Sequence, residues 1–497
     1  MKKNSSIYES ARQSAIYGLF EVFRLIKVFA TAFIIPIVSL LRDSRVASKV
    51  YYVHLGMILL LIFIIFFAIV KYWRFTYYLS VDNEFIVEEG VFSRSKISIP
   101  FDRIQSVDFE QNLIHQIFGV VKLKIDTAGS KNEEASLRAI DINKAKLIKS
   151  VILSYSKDVT TVEESEEVEK VETEHTIFQL DTFSLVKVGL TKNVFSSLSL
   201  IIALGYQIID NLNQVGFKDS VKNYIDGATN EIAKTDTIFI VIVLGIFIFI
   251  SFIVNLIRAV ITHFELRLER QNDSFVLSQG LFNRRISTAK ESKIQTLSWN
   301  NNLFEGFLKM NELVIKHASA SEATKKNSMI VLGVNKMHIQ TVMTMLFGKH
   351  FSIPQEFSSV SRKLFYRLIL LATLPLCLYF GLIYLKVLFY SNLSIFIFGF
   401  AVLTFHYYQK KQCFAIDNDF LYIKGGVFGY SQVILPLHTV NNVTLKSTPY
   451  QRQNNLATIK LYHGAGFESI PYIDFSTAQI LADFILYKIE ISKKVWM

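Results

Sequence analysis

Long stretches without a charged residue alternate along this chain with segments in which apolar and polar residues alternate at short range. A helix of about 20 apolar residues crosses a bilayer about 30 Å thick, so four uncharged stretches predict membrane-spanning helices. They are residues 50–70, 237–257, 368–385 and 387–408. Two shorter stretches, 25–41 and 194–209, each precede a longer one. Pairing as helical hairpins favours spanning helices there as well, and interfacial helices are the alternative.

The segments after these hairpins repeat one pattern three times. In each copy an alternating strand ends in a glycine. A phenylalanine lies two positions after that glycine, and an apolar residue fourteen positions after it begins a tetrad. The tetrads read IQSV, IQTL and VNNV, and each copy ends in an amphipathic helix. The three sets are Gly90, Phe92 and Ile104; Gly280, Phe282 and Ile294; Gly426, Phe428 and Val440. We interpret the glycines as turn residues, the phenylalanines as core residues and the apolar tetrad positions as facing inward. Repetition at this length predicts a multiplied structural unit.

The hydrophobic runs and the repeats divide the chain into alternating membrane and β segments. Because each hairpin returns the chain to its starting side, all three β units are expected on one face of the membrane. The ranges are an N-terminal cytosolic segment 1–24, hairpins 25–72, 181–262 and 364–409, an external loop 210–236, an acidic linker 157–180, and β domains 73–156, 263–350 and 410–494.

Charge suggests which face that is. The net charge is +11, the region 263–367 is rich in lysine and arginine, and the loop 210–236 is net acidic. Positive residues concentrate on the cytoplasmic side of membrane proteins, which favours cytoplasmic β domains. The first hairpin's loop, RDSRVASK, is basic and departs from this bias. The excess of positive charge favours anionic lipid over nucleic acid as a partner.

The strand-Gly-[VL]-Phe hairpin, the I-Q-[ST]-[VL] tetrad and the later LKIDTAG stretch resemble the bacterial pleckstrin-homology-like domain. Three such units between membrane hairpins resemble multi-pass membrane proteins of that family. The resemblance implies an α+β membrane protein: three transmembrane helical hairpins alternating with three PH-like bent antiparallel β-sheet domains, each closed by a C-terminal helix. The third copy departs from the pattern, since Gly-Tyr-Ser-Gln at 429–432 replaces the basic turn.

Six basic side chains at the turns of the first two copies are candidates for contact with lipid head groups. Guanidinium and ammonium groups bind phosphate, although a charged turn is more commonly a solvated edge. The candidates are Arg94, Lys96, Arg103, Arg284, Arg285 and Lys290.

Catalytic and metal-binding patterns are missing from the sequence. It contains no HExxH, GxSxG or Walker motif, and its two cysteines lack metal-ligand spacing. We therefore expect a protein without enzymatic activity, metal or cofactor. Its PH-like domains would act as membrane-surface binding or scaffolding modules for anionic lipid, other membrane proteins or further copies of the chain. A transporter or lipid-handling protein, with these domains as structural supports, is the alternative.

Overall fold

A computed structural model of the chain describes most of the three repeats and parts of the apolar helices that precede them. The described residues are 8–18, 50–127, 135–158, 175–192, 237–271, 273–317, 328–384, 393–417, 419–427 and 429–491, with single helical positions at 22, 24, 27, 199, 203 and 207. The predicted spans 25–41 and 194–209 and the loop 210–236 lie outside the described residues, apart from those single positions.

The first repeat follows a long apolar helix and consists of two three-strand halves and a closing helix. Its elements are α1 (Val50–Arg74), β1 (Thr76–Leu79), β2 (Glu84–Glu89), β3 (Ser95–Pro100), a 3-10 turn (Phe101–Arg103), β4 (Ile104–Gln111), α2 (Leu113–Ile117), β5 (Val120–Thr127), β6 (Ala135–Asp141) and α3 (Ile142–Asp158).

The second repeat has the same order, preceded by one additional strand and a short helix. Its elements are β7 (His175–Gln179), α4 (Thr182–Thr191), α5 (Thr237–His263), β8 (Arg267–Gln271), β9 (Ser274–Gln279), β10 (Arg284–Lys290), a 3-10 turn (Glu291–Lys293), β11 (Ile294–Asn301), α6 (Leu303–Phe307), β12 (Asn311–His317), β13 (Ser328–Val334) and α7 (Lys336–Phe347).

The third repeat has the same order, preceded by a short strand and two apolar helices. Its elements are β14 (Ser358–Ser359), α8 (Lys363–Tyr384), α9 (Leu393–Lys411), β15 (Cys413–Ile416), β16 (Phe420–Gly425), β17 (Tyr430–Pro436), a 3-10 turn (Leu437–Thr439), β18 (Val440–Lys446), α10 (Pro449–Gln453), β19 (Leu456–His463), β20 (Gly466–Asp474) and α11 (Phe475–Ile491).

Each repeat has an apolar core between its two half-sheets and the closing helix. In the first repeat, Phe85 from one half-sheet, Leu123 from the other and Ile152 from α3 belong to one cluster, and all three are fully buried. Such burial stabilises by about 1.5–3 kcal/mol for each large side chain. The α+β fold with antiparallel sheets ending in helices is therefore confirmed.

The sheets do not stop at the repeat boundaries, and the core of the second repeat likewise includes Ala415, Tyr422 and Ile434 of the third. One seven-stranded sheet has the order β6-β5-β4-β10-β9-β8-β7, and a second has the order β13-β12-β11-β17-β16-β15-β14. The second half of each repeat thus continues into the first half of the next. Two three-stranded sheets, β1-β2-β3 and β18-β19-β20, complete the ends. The three predicted β-sheet domains are thus joined to one another by strand pairing.

The chain enters and leaves each helical segment at adjacent backbone positions. Ala11 and Tyr77 exchange two hydrogen bonds of 2.9 Å across the first segment. Across the second, the Leu180 amide donates to the Leu266 carbonyl at 2.9 Å, and across the third the Val360 amide donates to the Gln412 carbonyl at 3.2 Å. The strand β7 makes such a contact with β8, so the end of the range interpreted as an acidic linker, 157–180, is a strand at a sheet edge.

By length and composition, one stretch of the described helices could cross a membrane, Gly245–His263 within α5. Only 17% of its most apolar window is buried. A core helix of a soluble protein would bury most of its surface, so this helix has the exposure expected of a segment facing lipid.

Candidate interaction surfaces

The glycine of each repeat forms a turn that only glycine fits, as the pattern predicts. Gly90, Gly280 and Gly426 have φ angles of 122°, 108° and 120°. A Cβ atom at Gly90 would lie 1.8 Å from the Ser93 carbonyl oxygen, and one at Gly280 would lie 2.1 Å from that of Asn283. We call the loop that follows each glycine the tip, defined as residues 90–94, 280–284 and 426–430.

Each tip lies against the end of the long helix that leads into its repeat. In the first repeat, the rings of Phe92 and Phe67 lie 6.2 Å apart. In the second, the Leu281 amide donates to the Ile261 carbonyl at 3.0 Å. In the third, Lys411 Nζ donates to two carbonyl oxygens of the tip, at 2.9 Å each. The same part of the fold therefore adjoins the apolar helices three times.

The phenylalanines of the first two tips are exposed, so their interpretation as core residues is wrong. Phe92 is 92% exposed and Phe282 is 43% exposed. They sit at the outer end of a turn, where no strand covers them. Phe428 lies outside the described residues. The apolar tetrad positions, in contrast, are buried as predicted: Ile104, Ile294 and Val440 are at most 7% exposed.

Two short helices add further exposed apolar side chains beside the tips. Gln116 on α2 donates through Nε2 to the Leu281 and Phe282 carbonyls, at 3.2 Å each, so α2 adjoins the second tip. Ile117 on α2 is 77% exposed, and Phe307 on α6 is 89% exposed. This surface was not predicted from the sequence, although the related stretches LIHQIF and LFEGFL carried the signal. Aliphatic and aromatic groups exposed together in this way mark a contact surface.

The six basic candidates do not form one group. Arg94, Lys96 and Arg284 are exposed at or next to the tips. Arg103 is exposed on the 3-10 turn, at the other end of β3 from the tip. The remaining two belong to β10: Arg285 pairs with Glu110 of the first repeat, and Lys290 pairs with Ser274 of its own repeat. Lys290 is only 8% exposed, and burial lowers its pKa. Three of the six therefore remain as candidates for head-group contact.

The first junction between repeats is built around Asp108 of β4. Its Oδ1 accepts a hydrogen bond of 3.1 Å from the Thr288 amide, and its Oδ2 lies 3.6 Å from Arg285 Nη2. Burial raises the pKa of Asp108, and the Arg285 charge opposes that shift. Lys149 is also buried near this group, which lowers its pKa to about 8, although the Asp108 charge works in the other direction. The Asp108 side chain thus accepts a hydrogen bond from the β10 backbone just beyond the last paired residues of β4 and β10.

The second junction uses uncharged groups at its paired positions. The Tyr430 amide donates to Asn301 Oδ1 at 2.9 Å, and Gln295 Oε1 accepts from the Gly464 amide at 3.3 Å. The Gln295 bond therefore joins the second repeat to the third. One ion pair, Lys316 Nζ to Glu468 Oε1 at 2.8 Å, links β12 to β20 beside the junction.

A cleft of about 1460 Å³ opens beside the second junction. Apolar side chains, including Phe178, Trp299 and Met343, line it together with amide groups, and Lys309 and Lys336 contribute positive charge. The helix α4 forms one wall and packs closely against α5, because Gly189 lets the Leu256 backbone approach it. The described residues contain no group of three or more metal-ligating side chains.

Comparison with known proteins agrees with this threefold construction. The family model of the bacterial PH domain matches residues 23–156, 220–344 and 360–489. The chain is also similar to the UPF0699 transmembrane protein YdbT of Bacillus subtilis (strain 168), with 22% identity over 428 residues. That alignment covers 82% of this chain and 83% of the relative. The resemblance inferred from the hairpin and tetrad motifs is confirmed.

Proposed function

The chain belongs to the bacterial PH domain family, and from its three domains beside long apolar helices we propose that it is a non-enzymatic scaffold of the bacterial cell membrane. Six helices in three hairpins would hold the PH-like domains against the cytoplasmic lipid surface. There the domains would bind anionic head groups and membrane proteins. Nucleic acid is not among the proposed partners.

The observation that carries this proposal is the repeated contact of a tip with a helix end. Phe92, Leu281 and Lys411 each make such a contact, in three separate repeats. A helix of the length and composition of α5 ends near the membrane surface, and the tip beside it would lie at the same depth. Exposed aromatic and aliphatic groups at the tips and on α2 and α6 suit this interfacial position.

Charge supports contact with lipid head groups at the same level. Arg94, Lys96 and Arg284 are exposed at or beside two tips. Each basic residue near an anionic surface contributes about 1 kcal/mol to binding. Repeating a weak contact on one chain raises its effective concentration and gives a stronger combined attachment. The third tip lacks these cations, so the first two repeats would make most of this contact.

Photo-crosslinking to lipid in nanodiscs tests the proposal on the full chain. The measured quantity is crosslinking to a photoactivatable phosphatidylglycerol relative to the matching phosphatidylcholine. We expect Arg94→Ala, Lys96→Ala and Arg284→Ala together to lower this ratio by up to about a hundredfold, because about 1 kcal/mol is lost for each of the three removed charges. Raising the salt concentration should lower the ratio for the original chain as well.

The matched control removes the same amount of charge elsewhere. Arg103→Ala, Lys144→Ala and Lys146→Ala alter exposed residues on the 3-10 turn and closing helix of the first repeat. This variant should keep the original ratio. An equal loss in both variants would reduce the effect to net charge, and no loss in either would remove head-group contact from the proposed function.

A second function, lipid handling, is favoured by the cleft beside α4. The cleft is large enough for an acyl chain, part of its lining is apolar, and Lys309 and Lys336 in the lining would bind a phosphate. Lipid scrambling by the protein in proteoliposomes, which a scaffold does not require, would favour this function over the first.

A further inference from the structure

The two junctions between repeats pair their strands in the same register. In the first, Arg284, Arg285 and Ile286 of β10 face Gln111, Glu110 and Phe109 of β4. In the second, Tyr430, Ser431 and Gln432 of β17 face Asn301, Asn300 and Trp299 of β11. Each residue can be numbered from the glycine of its own repeat, which is Gly90, Gly280 or Gly426. In both junctions, position 4 of the later repeat then faces position 21 of the earlier repeat. One mode of association therefore occurs twice within the chain.

The two strands that would make a third such junction remain at the ends of the molecule. β3 occupies the place of β10 and β17, and β18 occupies the place of β4 and β11. Among the described residues, no strand pairs with the outer edge of either. An edge strand presents unpaired amide and carbonyl groups that can accept a further strand.

Equivalent positions are buried inside the chain and exposed at its ends. Gln295 of β11 is fully buried, whereas Asn441, at the same position in β18, is exposed. Ile434 of β17 is fully buried, whereas Ser98, its counterpart in β3, is exposed. Phe92 is about twice as exposed as Phe282. The Phe282 carbonyl accepts a hydrogen bond from Gln116 on α2 of the preceding repeat. The end strands thus expose the positions that the internal junctions cover.

We propose that β18 of one copy of the chain pairs with β3 of a second copy, in the register of the two internal junctions. The pairing rests on the proposed scaffolding function and names its partner as the chain itself. The repeated register places Ile97 opposite Thr444, Ser98 opposite Val443 and Ser95 opposite Lys446.

The surrounding side chains fit this arrangement. Arg452 on α10 occupies the position of Gln116 on α2, 26 residues after the repeat glycine, and it is exposed. In a third junction it would donate to the carbonyls of residues 91 and 92, as Gln116 does to those of Leu281 and Phe282. Val443 and Leu445 are half-buried against the core of the third repeat, and pairing would cover them further.

The register of the third junction places no two charged residues directly opposite each other. Lys96 would face Leu445 and Lys446 would face Ser95, so the two lysines lie on opposite faces of the sheet. No ion pair is needed at the paired positions, because the five residue pairs of β11 with β17 include no charged residue. End-to-end pairing rests on backbone hydrogen bonds and should change little with ionic strength, whereas head-group binding should weaken.

The proposed contact joins two different surfaces, so each added copy leaves one of each surface free. Such heterologous contacts form rings when the rotation between copies closes, and open chains when it does not. Association is therefore not limited to dimers.

Disulfide crosslinking of the full chain in phosphatidylcholine vesicles tests the pairing. Cys377 and Cys413 are first replaced by serine. One preparation then carries Ile97→Cys with a longer affinity tag, and a second, untagged preparation carries Thr444→Cys. The pair Ser98→Cys and Val443→Cys is tested in the same way, because adjacent pairs alternate between hydrogen-bonded and closer, non-hydrogen-bonded geometry. We expect mixed dimers from at least one of these two mixtures.

A matched control shifts one cysteine along the same strand. Ile97→Cys mixed with Asn441→Cys places the two residues three positions out of register, about 10 Å apart along the strand, which is beyond the reach of a disulfide. This mixture, and each variant alone, should give no crosslink. A chain carrying both Ile97→Cys and Thr444→Cys should give a ladder of multiples.

Several outcomes would overturn the proposal. Crosslinking by Ile97→Cys alone would show that β3 pairs with another β3, and equal crosslinking out of register would show unspecific collision. Absence of crosslinks in every mixture would mean that the lysines protect unpaired edges. Crosslinking only to a different protein in native membranes would assign the edge to that partner. Because head-group preference is measured separately in nanodiscs, either proposal can fail while the other stands.

Discussion

Two buried histidines occupy the same place in successive repeats. His317 ends β12 and His463 ends β19, and both are at most 5% exposed. Burial lowers the pKa of each to about 4, and the positive charge of Arg285 or Lys316 adds to the effect. Neither side chain can take up a proton near neutral pH without a cost to the folded state.

Acidification from pH 6.5 towards pH 4 should therefore destabilise the folded protein. The unfolded chain binds protons at these histidines below about pH 6.5, while the folded chain does not until about pH 4. Stability is thus fully present above pH 6.5 and decreases by up to about 1.4 kcal/mol per pH unit for each histidine. The measurement is the melting temperature in detergent as a function of pH, followed by intrinsic fluorescence.

The double variant His317→Gln and His463→Gln should show a flatter dependence on pH. Replacing the exposed His175 by glutamine should leave the original slope unchanged. Equal slopes for the original chain and the double variant would contradict the assignment.

Pairs of strands from different repeats hold the three domains together. At the first junction, the Asp108 side chain accepts a hydrogen bond from the Thr288 amide, two residues beyond the last paired residue of β10. Its Oδ2 also lies 3.6 Å from Arg285 Nη2. A side chain therefore continues the connection between the strands.

Asp108→Ala should lower the free energy of unfolding by about 1–3 kcal/mol, because it leaves the buried Thr288 amide without an acceptor. Thermal unfolding in detergent measures this change. The control Glu89→Ala removes an exposed acidic residue at the end of β2 and should have little effect. Equal stability of Asp108→Ala and the original chain would show that the junction does not depend on this side chain.

Spacing and alternation were sufficient to predict the strands, the turn glycines and the closing helices. These features depend on residues near each other in the chain, such as Gly90 and Ile104. The shared sheets could not be predicted in this way, because Arg285 and Glu110 are far apart in sequence and each strand pattern fits either a free or a paired edge. The exposure of Phe92 was missed for a related reason: an apolar residue at a turn is read as core unless the adjoining surface is known.

Of the predicted basic site, the sequence located the residues but not their surroundings. Arg94 and Arg284 are equivalent in the pattern and both are exposed. Arg285 follows directly, yet the strand alternation turns it towards Asp108 of another repeat. Arg284 and Arg285 therefore differ in their surroundings only because β10 pairs with β4 of the first repeat, which the sequence of one repeat does not reveal.

At the scale of the whole molecule, the shared sheets restrict where the domains can lie. β4 pairs with β10 and β11 pairs with β17, so consecutive repeats cannot be on opposite sides of a bilayer. The hydrogen-bonded entry and exit points of each helical segment, such as Ala11 with Tyr77, lead to the same conclusion. Three domains on one face is the central claim on which the scaffold, the tip surface and end-to-end pairing all depend.

Accessibility labelling of single cysteines tests this claim most directly. The sites are Asp82, Asp273 and Asp419, exposed residues in the turns between the first two strands of each repeat. Each is changed to cysteine after Cys377→Ser and Cys413→Ser, and treated with a membrane-impermeant maleimide in intact spheroplasts and in inverted vesicles. All three should react in inverted vesicles and none in spheroplasts. Reaction of any one site from the opposite side to the other two would contradict the account.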